Sequence, residues 1–287
     1  MAALLALGSA LWYGVSDFSG GLAARRSPAV AVVLVSNALS LALAGGAVGL
    51  LPGSAYSTRD LAWGTAAGAV GLLGVVLLYR GLAIGPMSVV APLTAVLAAV
   101  VPVVVGTVRG DRPGPAAVTG IVVAIPAIAM VGREAGSAAA QASGRTGIEP
   151  GALASALLAG VSFGGFYVLL AQTGGDGGAW PLVGQRAASV VILLALTGVA
   201  LLRRRPALPR GVALRLALLA GVTDFLANLA FVLATHRGLL ALVAVLSSLY
   251  PAATVVLARG ILGERLSRTQ VAGIGLAGLA VTLIALR

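Results

Sequence analysis

Apolar residues in this chain come in long unbroken runs, each near the ~20 residues a helix needs to cross a bilayer. Ten runs can be read: residues 3–24, 28–51, 60–82, 86–108, 115–132, 150–171, 179–202, 211–235, 239–258 and 268–286. The pattern predicts an all-α membrane protein of ten transmembrane helices. The gaps carry helix-breaking residues. Arg25-Arg26-Ser27-Pro28 separates the first two runs, and Leu51-Pro52-Gly53-Ser54 ends the second. The segment from Arg109 to Pro115 divides the fourth from the fifth, and Arg203-Arg204-Arg205-Pro206 closes the seventh. Residues 133–149 form the longest polar stretch, rich in Gly, Ala and Ser, and read as a linker. The first run begins near Ala3 with no basic region before it. It is therefore read as a spanning helix and not as a signal peptide.

The pattern repeats. At a constant shift of 153 positions Gly68 meets Gly221, Gly85 meets Gly238, and Val90-Ala91 meets Val243-Ala244. At the same shift Gly110-Asp111-Arg112 meets Gly263-Glu264-Arg265, Gly120 meets Gly273, and Ala124 and Ala127 meet Ala277 and Ala280. Earlier in each half, Gly14-Val15-Ser16 meets Gly160-Val161-Ser162 at a shift of 146. The glycine-acid-arginine triplet in matching gaps is the most specific part. The expected division is a first five-helix repeat over 1–132, the linker 133–149, and a second repeat over 150–287. Five spans per half is odd, so the second half must lie inverted. Secondary transporters are commonly built this way, with substrate held near the midplane between the halves.

Composition agrees with the run pattern. The chain has 287 residues, 59% hydrophobic and 9% charged, and its mean hydropathy is +1.06. So little polar surface could not cover a soluble core of this size. Its 40 glycines suit helices that approach closely in lipid. The net charge of +11 comes from arginines scattered between runs, which is a membrane-flank pattern and not a nucleic-acid one. With no cysteine and a single histidine, His236, thiolate and histidine-cluster metal sites are excluded, and no cofactor is expected.

Two acids stand inside the runs, Asp17 and Asp224. The other six (Asp60, Asp111, Glu134, Glu149, Asp176 and Glu264) fall in the gaps. A carboxylate at bilayer depth costs several kcal/mol and is retained by default for function. Helical spacing groups Asp17 with Trp12, Tyr13, Ser16 and Gly20. This face reads as a proton-coupling or substrate-amine site; the plainer alternative is a carboxyl bonded to a neighbouring helix. Asp224 shares a stripe with Gly221, Asn228, Phe231 and Thr235, read as a cavity lining. Its alternative is an ion pair with Arg186 or Arg80 that locks the bundle. Gln185 and Arg186 match Ser36 and Asn37 at a shift of 149. Arg186 is suited to a substrate carboxylate, to Asp224, or to snorkelling toward the interface. Pro92, Pro102, Pro126 and Pro251 lie within runs and can bend them. Pro92 and Pro251 are the candidate hinges, the latter beside Tyr250 and the hydroxyls of Ser247 and Ser248.

At this point the chain resembles the drug/metabolite transporter superfamily, EamA type, over nearly its whole length. Three segments carry the resemblance: Leu11-Trp12-Tyr13-Gly14-Val15-Ser16, Leu82 to Leu93 with Gly85-Pro86, and Leu262-Gly263-Glu264-Arg265-Leu266-Ser267. The chain departs from the family at Asp111, where a glutamate is usual, and at Arg237-Gly238-Leu239-Leu240, which lacks the counterpart of Pro86. The resemblance implies an inverted-repeat bundle in the cell membrane that moves a small metabolite, often outward, by alternating access. It also implies both termini inside, whereas the arginine bias puts both outside. No nucleophile set, phosphate loop or His-Glu-x-x-His pattern supports an enzyme. A passive channel or structural membrane protein is the rival to a proton-linked carrier of a small polar compound such as an amino acid. On the carrier reading, Asp17→Asn or Asp224→Asn abolishes coupled transport and leaves folding intact.

Overall fold

The computed structural model describes residues 2–48, 57–110, 114–116, 118–124, 126–127, 130, 149–173, 180–202, 208–235, 249–264 and 266–285. The 133–149 linker lies outside them except for Glu149. So do His236, Arg203–Arg205, Ser247, Ser248 and the first half of the ninth run. The described chain is helical: α1 (Ala2–Ala24), α2 (Ala29–Val48), α3 (Thr58–Ile84) and α4 (Met87–Val108). In α5 the described residues between 115 and 130 are helical. Then come α6 (Pro150–Leu170), α7 (Trp180–Leu202), α8 (Val212–Thr235), α9 (Tyr250–Leu262) and α10 (Arg268–Ala285).

Five of these, α2, α3, α4, α6 and α8, are long and apolar enough to cross a membrane on length and composition alone. α1 is long but is not among them, since Ser9, Ser16, Asp17 and Ser19 lower its hydropathy. The starts and stops follow from local chemistry. Ser57 accepts the Asp60 N–H at 3.2 Å and caps α3. Pro150 occupies the first turn of α6, where its missing N–H costs nothing. Pro251 likewise lies in the first turn of α9 as described. Pro92 lies inside α4 and leaves the Ser88 carbonyl without its usual helical donor.

Contacts between helices fix their directions. Ser9 Oγ donates to the Ala227 carbonyl at 2.8 Å and Ser16 Oγ to that of Ala220 at 3.0 Å. One residue number rises as the other falls, so α1 and α8 are antiparallel. Gly71 and Gly74 of α3 approach Phe166 and Phe163 of α6, while Gly85 approaches Ala152, so this pair is antiparallel too. α3 in turn runs parallel to α1, because Ser16 and Gly20 meet Tyr79 and Gly21 meets Leu82. α6 therefore points opposite to α1, its counterpart in the repeat, and the halves are inverted.

The repeat is visible at single contacts. A Cβ at Gly68 would lie 2.6 Å from the Gln185 Cα, and one at Gly221 would lie 2.6 Å from the Ser36 carbonyl. These are the same contact made twice with the roles of the halves exchanged. Likewise Gly14 packs on the α9 backbone at Tyr250 and Thr254, and Gly160 packs on α4 at Thr94 and Leu97. Lipid gives little hydrophobic drive for helices to associate, so such close approaches carry much of the cohesion. Large apolar side chains such as Leu73, Leu158, Val191, Leu194 and Val256 remain exposed on the outer surface, as suits acyl chains.

A polar seam between the inverted halves

The close approach of Gly221 to Ser36 sets α2 against α8 in parallel, and that of Gly68 to Gln185 sets α7 against α3. Between these seams the buried polar groups converge. Arg186 Nη2 lies 2.7 Å from Asp224 Oδ2, and Arg186 Nη1 donates to Asn37 Oδ1 at 2.6 Å. Ser40 Oγ donates to Asp224 Oδ2 at 2.8 Å. Asn228 Nδ2 donates to the Asp224 carbonyl at 2.8 Å, and Tyr13 Oη donates to Asn228 Oδ1 at 2.9 Å. The Tyr13 ring meets that of Tyr250 edge-on, with centroids 6.2 Å apart. Helices α1, α2, α7, α8 and α9 thus share one network.

Asp17 stands beside this network without joining it. No hydrogen bond or ion pair to its carboxylate exists among the described residues, although it lies in the same electrostatic field as Asp224. The turn that precedes it on α1 touches α9 at Tyr250, and the turn that follows it packs Gly20 on the Tyr79 ring. Tyr79 Oη donates to the Ser16 carbonyl at 3.5 Å. The phenols of Tyr13, Tyr79, Tyr167 and Tyr250 are all within electrostatic reach of Asp17. The site therefore holds a neutralised acid, Asp224, and an acid with no partner among the described residues, Asp17, bordered by aromatic rings.

Several sequence-based expectations are revised. Trp12 is 41% exposed beside exposed Leu11, about 140° around the helix from Asp17 at ~100° per residue, and does not belong to the site. Ser16 is buried and spends its hydroxyl on the Ala220 carbonyl, so it joins helices and is not open to a ligand. Among the described residues the Asp224 stripe makes contacts between helices: Gly221 meets α2, Asn228 meets Tyr13, and Phe231 packs by Ala6 and Ala234. Arg186 turns inward and does not snorkel, and Arg80 is exposed and makes no pair with Asp224. Asp224→Asn would strand a buried guanidinium, so it is not expected to leave folding untouched. Gln185 sits at the α3–α7 seam with its Oε1 buried and unpartnered among the described residues.

Sequence reasoning passed over Ser40 and Tyr79, and placed Glu264 in a repeated gap motif without giving it a contact. Ser40 had a signal, since it matches Ser189 at the same shift of 149 that pairs Asn37 with Arg186. Ser189 donates to the Gly68 and Gln185 carbonyls, whereas Ser40 donates to Asp224, and there the two halves part company. Pro92 and Pro251 both line a small apolar crevice of ≈50 Å³ between α4, α9 and α10, apart from the acids. Among the described residues no group of three or more His, Asp or Glu converges as a metal site would require.

Comparison with known proteins follows the same architecture. Residues 151–286 match the EamA-like transporter family. A solved crystal structure of another protein superposes with a TM-score of 0.62 over 98% of this chain and 95% of its own, at 15% identity. At that identity the likeness speaks for the fold alone. Among curated proteins none matches this chain.

Proposed function

We propose, from the match of residues 151–286 to the EamA-like transporter family, that the chain is a secondary active carrier in the cell membrane. Its two repeats, 1–132 and 150–287, rock about the polar seam and export a small polar, amine-bearing or zwitterionic compound in exchange for protons. The observation that carries this reading is Asp17, a carboxylate within a span that has no partner among the described residues. Asp224 beside it is already matched by Arg186. A proton or an ammonium group on Asp17 would neutralise the seam, and the two cannot occupy one carboxylate together. That exclusion is the elementary requirement of exchange. Arg186, itself bonded to Asn37, and Ser40 hold the neighbouring carboxylate in place, and the edge-on Tyr13–Tyr250 pair walls the site toward α9.

The test is counterflow in proteoliposomes across a panel of amino acids and organic amines, with and without an imposed pH gradient. A carrier accelerates labelled uptake when unlabelled substrate is loaded inside, and an acid-inside gradient alters the rate. A passive channel gives neither effect.

A further inference from the structure

At one end of the bundle, turns from both halves meet on a single carboxylate. Gly263 ends α9 with φ 67, a left-handed conformation that glycine adopts without a Cβ penalty. The turn delivers Glu264 to the start of α4. Its Oε1 accepts the Met87 N–H at 3.1 Å and its Oε2 accepts the Ser88 N–H at 3.1 Å. α4 has no cap of its own, because Pro86 precedes it and carries no side-chain acceptor. An acid from the second half therefore caps a helix of the first, satisfying two orphan donors at the positive end of the helix. Arg25, on the α1–α2 turn, places Nη2 3.9 Å from Glu264 Oε1 and directs Nε and Nη2 to the Leu82 carbonyl at 3.4 Å. The Glu264 side chain is only 17% exposed. One carboxylate thus binds together the α1–α2 turn, the α3–α4 junction and the α9–α10 turn.

We propose that Glu264 is the latch that holds this end of the seam between the repeats closed, and that its release from the α4 N-terminus opens the seam to this face of the membrane. The geometry suits a switch. Two parallel N–H···O bonds at 3.1 Å are lost once the turns separate by about 1 Å, so the contact is made or broken and not graded. Such bistable contacts are how packed interfaces convert small shifts into discrete states. The inference rests on the alternating-access reading above, but its test needs no substrate.

The chain contains no cysteine, so Ala91→Cys provides a single thiol one turn inside the latch, at a position 1% exposed. The measurement is the rate at which a membrane-impermeant maleimide, added on the Arg25 side of oriented vesicles, labels that thiol. Glu264→Gln in this background is expected to raise the rate at least fivefold; the parent rate in a folded variant overturns the latch. If Glu264→Gln does not fold, Glu264→Asp replaces it. That variant keeps the charge beside Arg25 but is one methylene too short to hold both N–H groups: a rise of twofold or more supports the latch and the parent rate overturns it. If Asp17→Asn abolishes coupling while labelling ignores Glu264, the latch alone fails. If labelling responds while Asp17→Asn transports as before, the coupling chemistry fails and the latch stands.

Discussion

Asp17 and Asp224 have the same chemistry and opposite situations, and their variants should part accordingly. Asp17 forms no hydrogen bond or ion pair among the described residues, so Asp17→Asn removes a charge without orphaning a neighbour. We expect it to unfold within a few degrees of the parent in detergent while losing all response of transport to a pH gradient. Asp224 is held by Arg186 and Ser40, with side-chain exposures of 23% for Asp224 and 13% for Arg186. Removing one partner of a buried pair costs roughly 3–5 kcal/mol, since the other charge stays in a poor solvent. Asn37 still accepts from Arg186, so the lower end applies to Asp224→Asn, about 3 kcal/mol. The double variant Asp224→Asn with Arg186→Gln should recover most of that loss. A thermal-unfolding cycle over the four proteins measures the coupling, and additive single effects would refute the pair.

At the scale of the element, glycines decide which helices touch. Gly68 and Gly221 let α3 and α8 lie against backbone of α7 and α2, and the side chains one position further on, Arg186 and Asn37, are aimed at each other as a result. Adding a methyl group there is overpacking against atoms that cannot yield, which costs typically 1–3 kcal/mol. Gly68→Ala and Gly221→Ala should each lower the unfolding midpoint and, by moving α7 or α2, weaken transport as well. Gly45 on α2 has nothing within reach of a Cβ, so Gly45→Ala should leave the midpoint unchanged or slightly raised. Equal effects at all three positions would show that helix propensity, and not close approach, governs these sites.

For the whole molecule, inversion ties topology to function. Ten helices return the chain to the side from which it started. The α1–α2, α3–α4 and α9–α10 turns share the opposite end through Glu264. Reporters fused to either terminus should therefore report the same compartment, and an impermeant thiol reagent should reach Arg26→Cys only from the other side. Reporters in different compartments would break the ten-span reading. Arg25, Arg26, Arg210, Arg259 and Arg268 gather at the Arg25 end, whereas Arg59 and Arg109 mark the terminal end. The arginine bias favours the Arg25 end as the cytoplasmic one.

The amino-acid order alone determined the number of spans, the repeat and its inversion, because run length, breaker residues and an odd count per half are properties of a single line of residues. It also singled out both intramembrane acids, since a carboxylate in an apolar run stands out with no partner in view. Which acid would be neutralised, that Ser16 would be consumed in packing, that Trp12 would fall outside the site, and that Glu264 would cap a helix far away in sequence were decided only by tertiary structure. Helical periodicity gives the face of each residue to within an arc, but a partner depends on which second helix approaches that arc, and how near. In this protein the approach is set by glycine contacts such as Gly68 on Gln185 and Gly221 on Ser36. Those contacts are specific in three dimensions and nearly invisible in a sequence with 40 glycines.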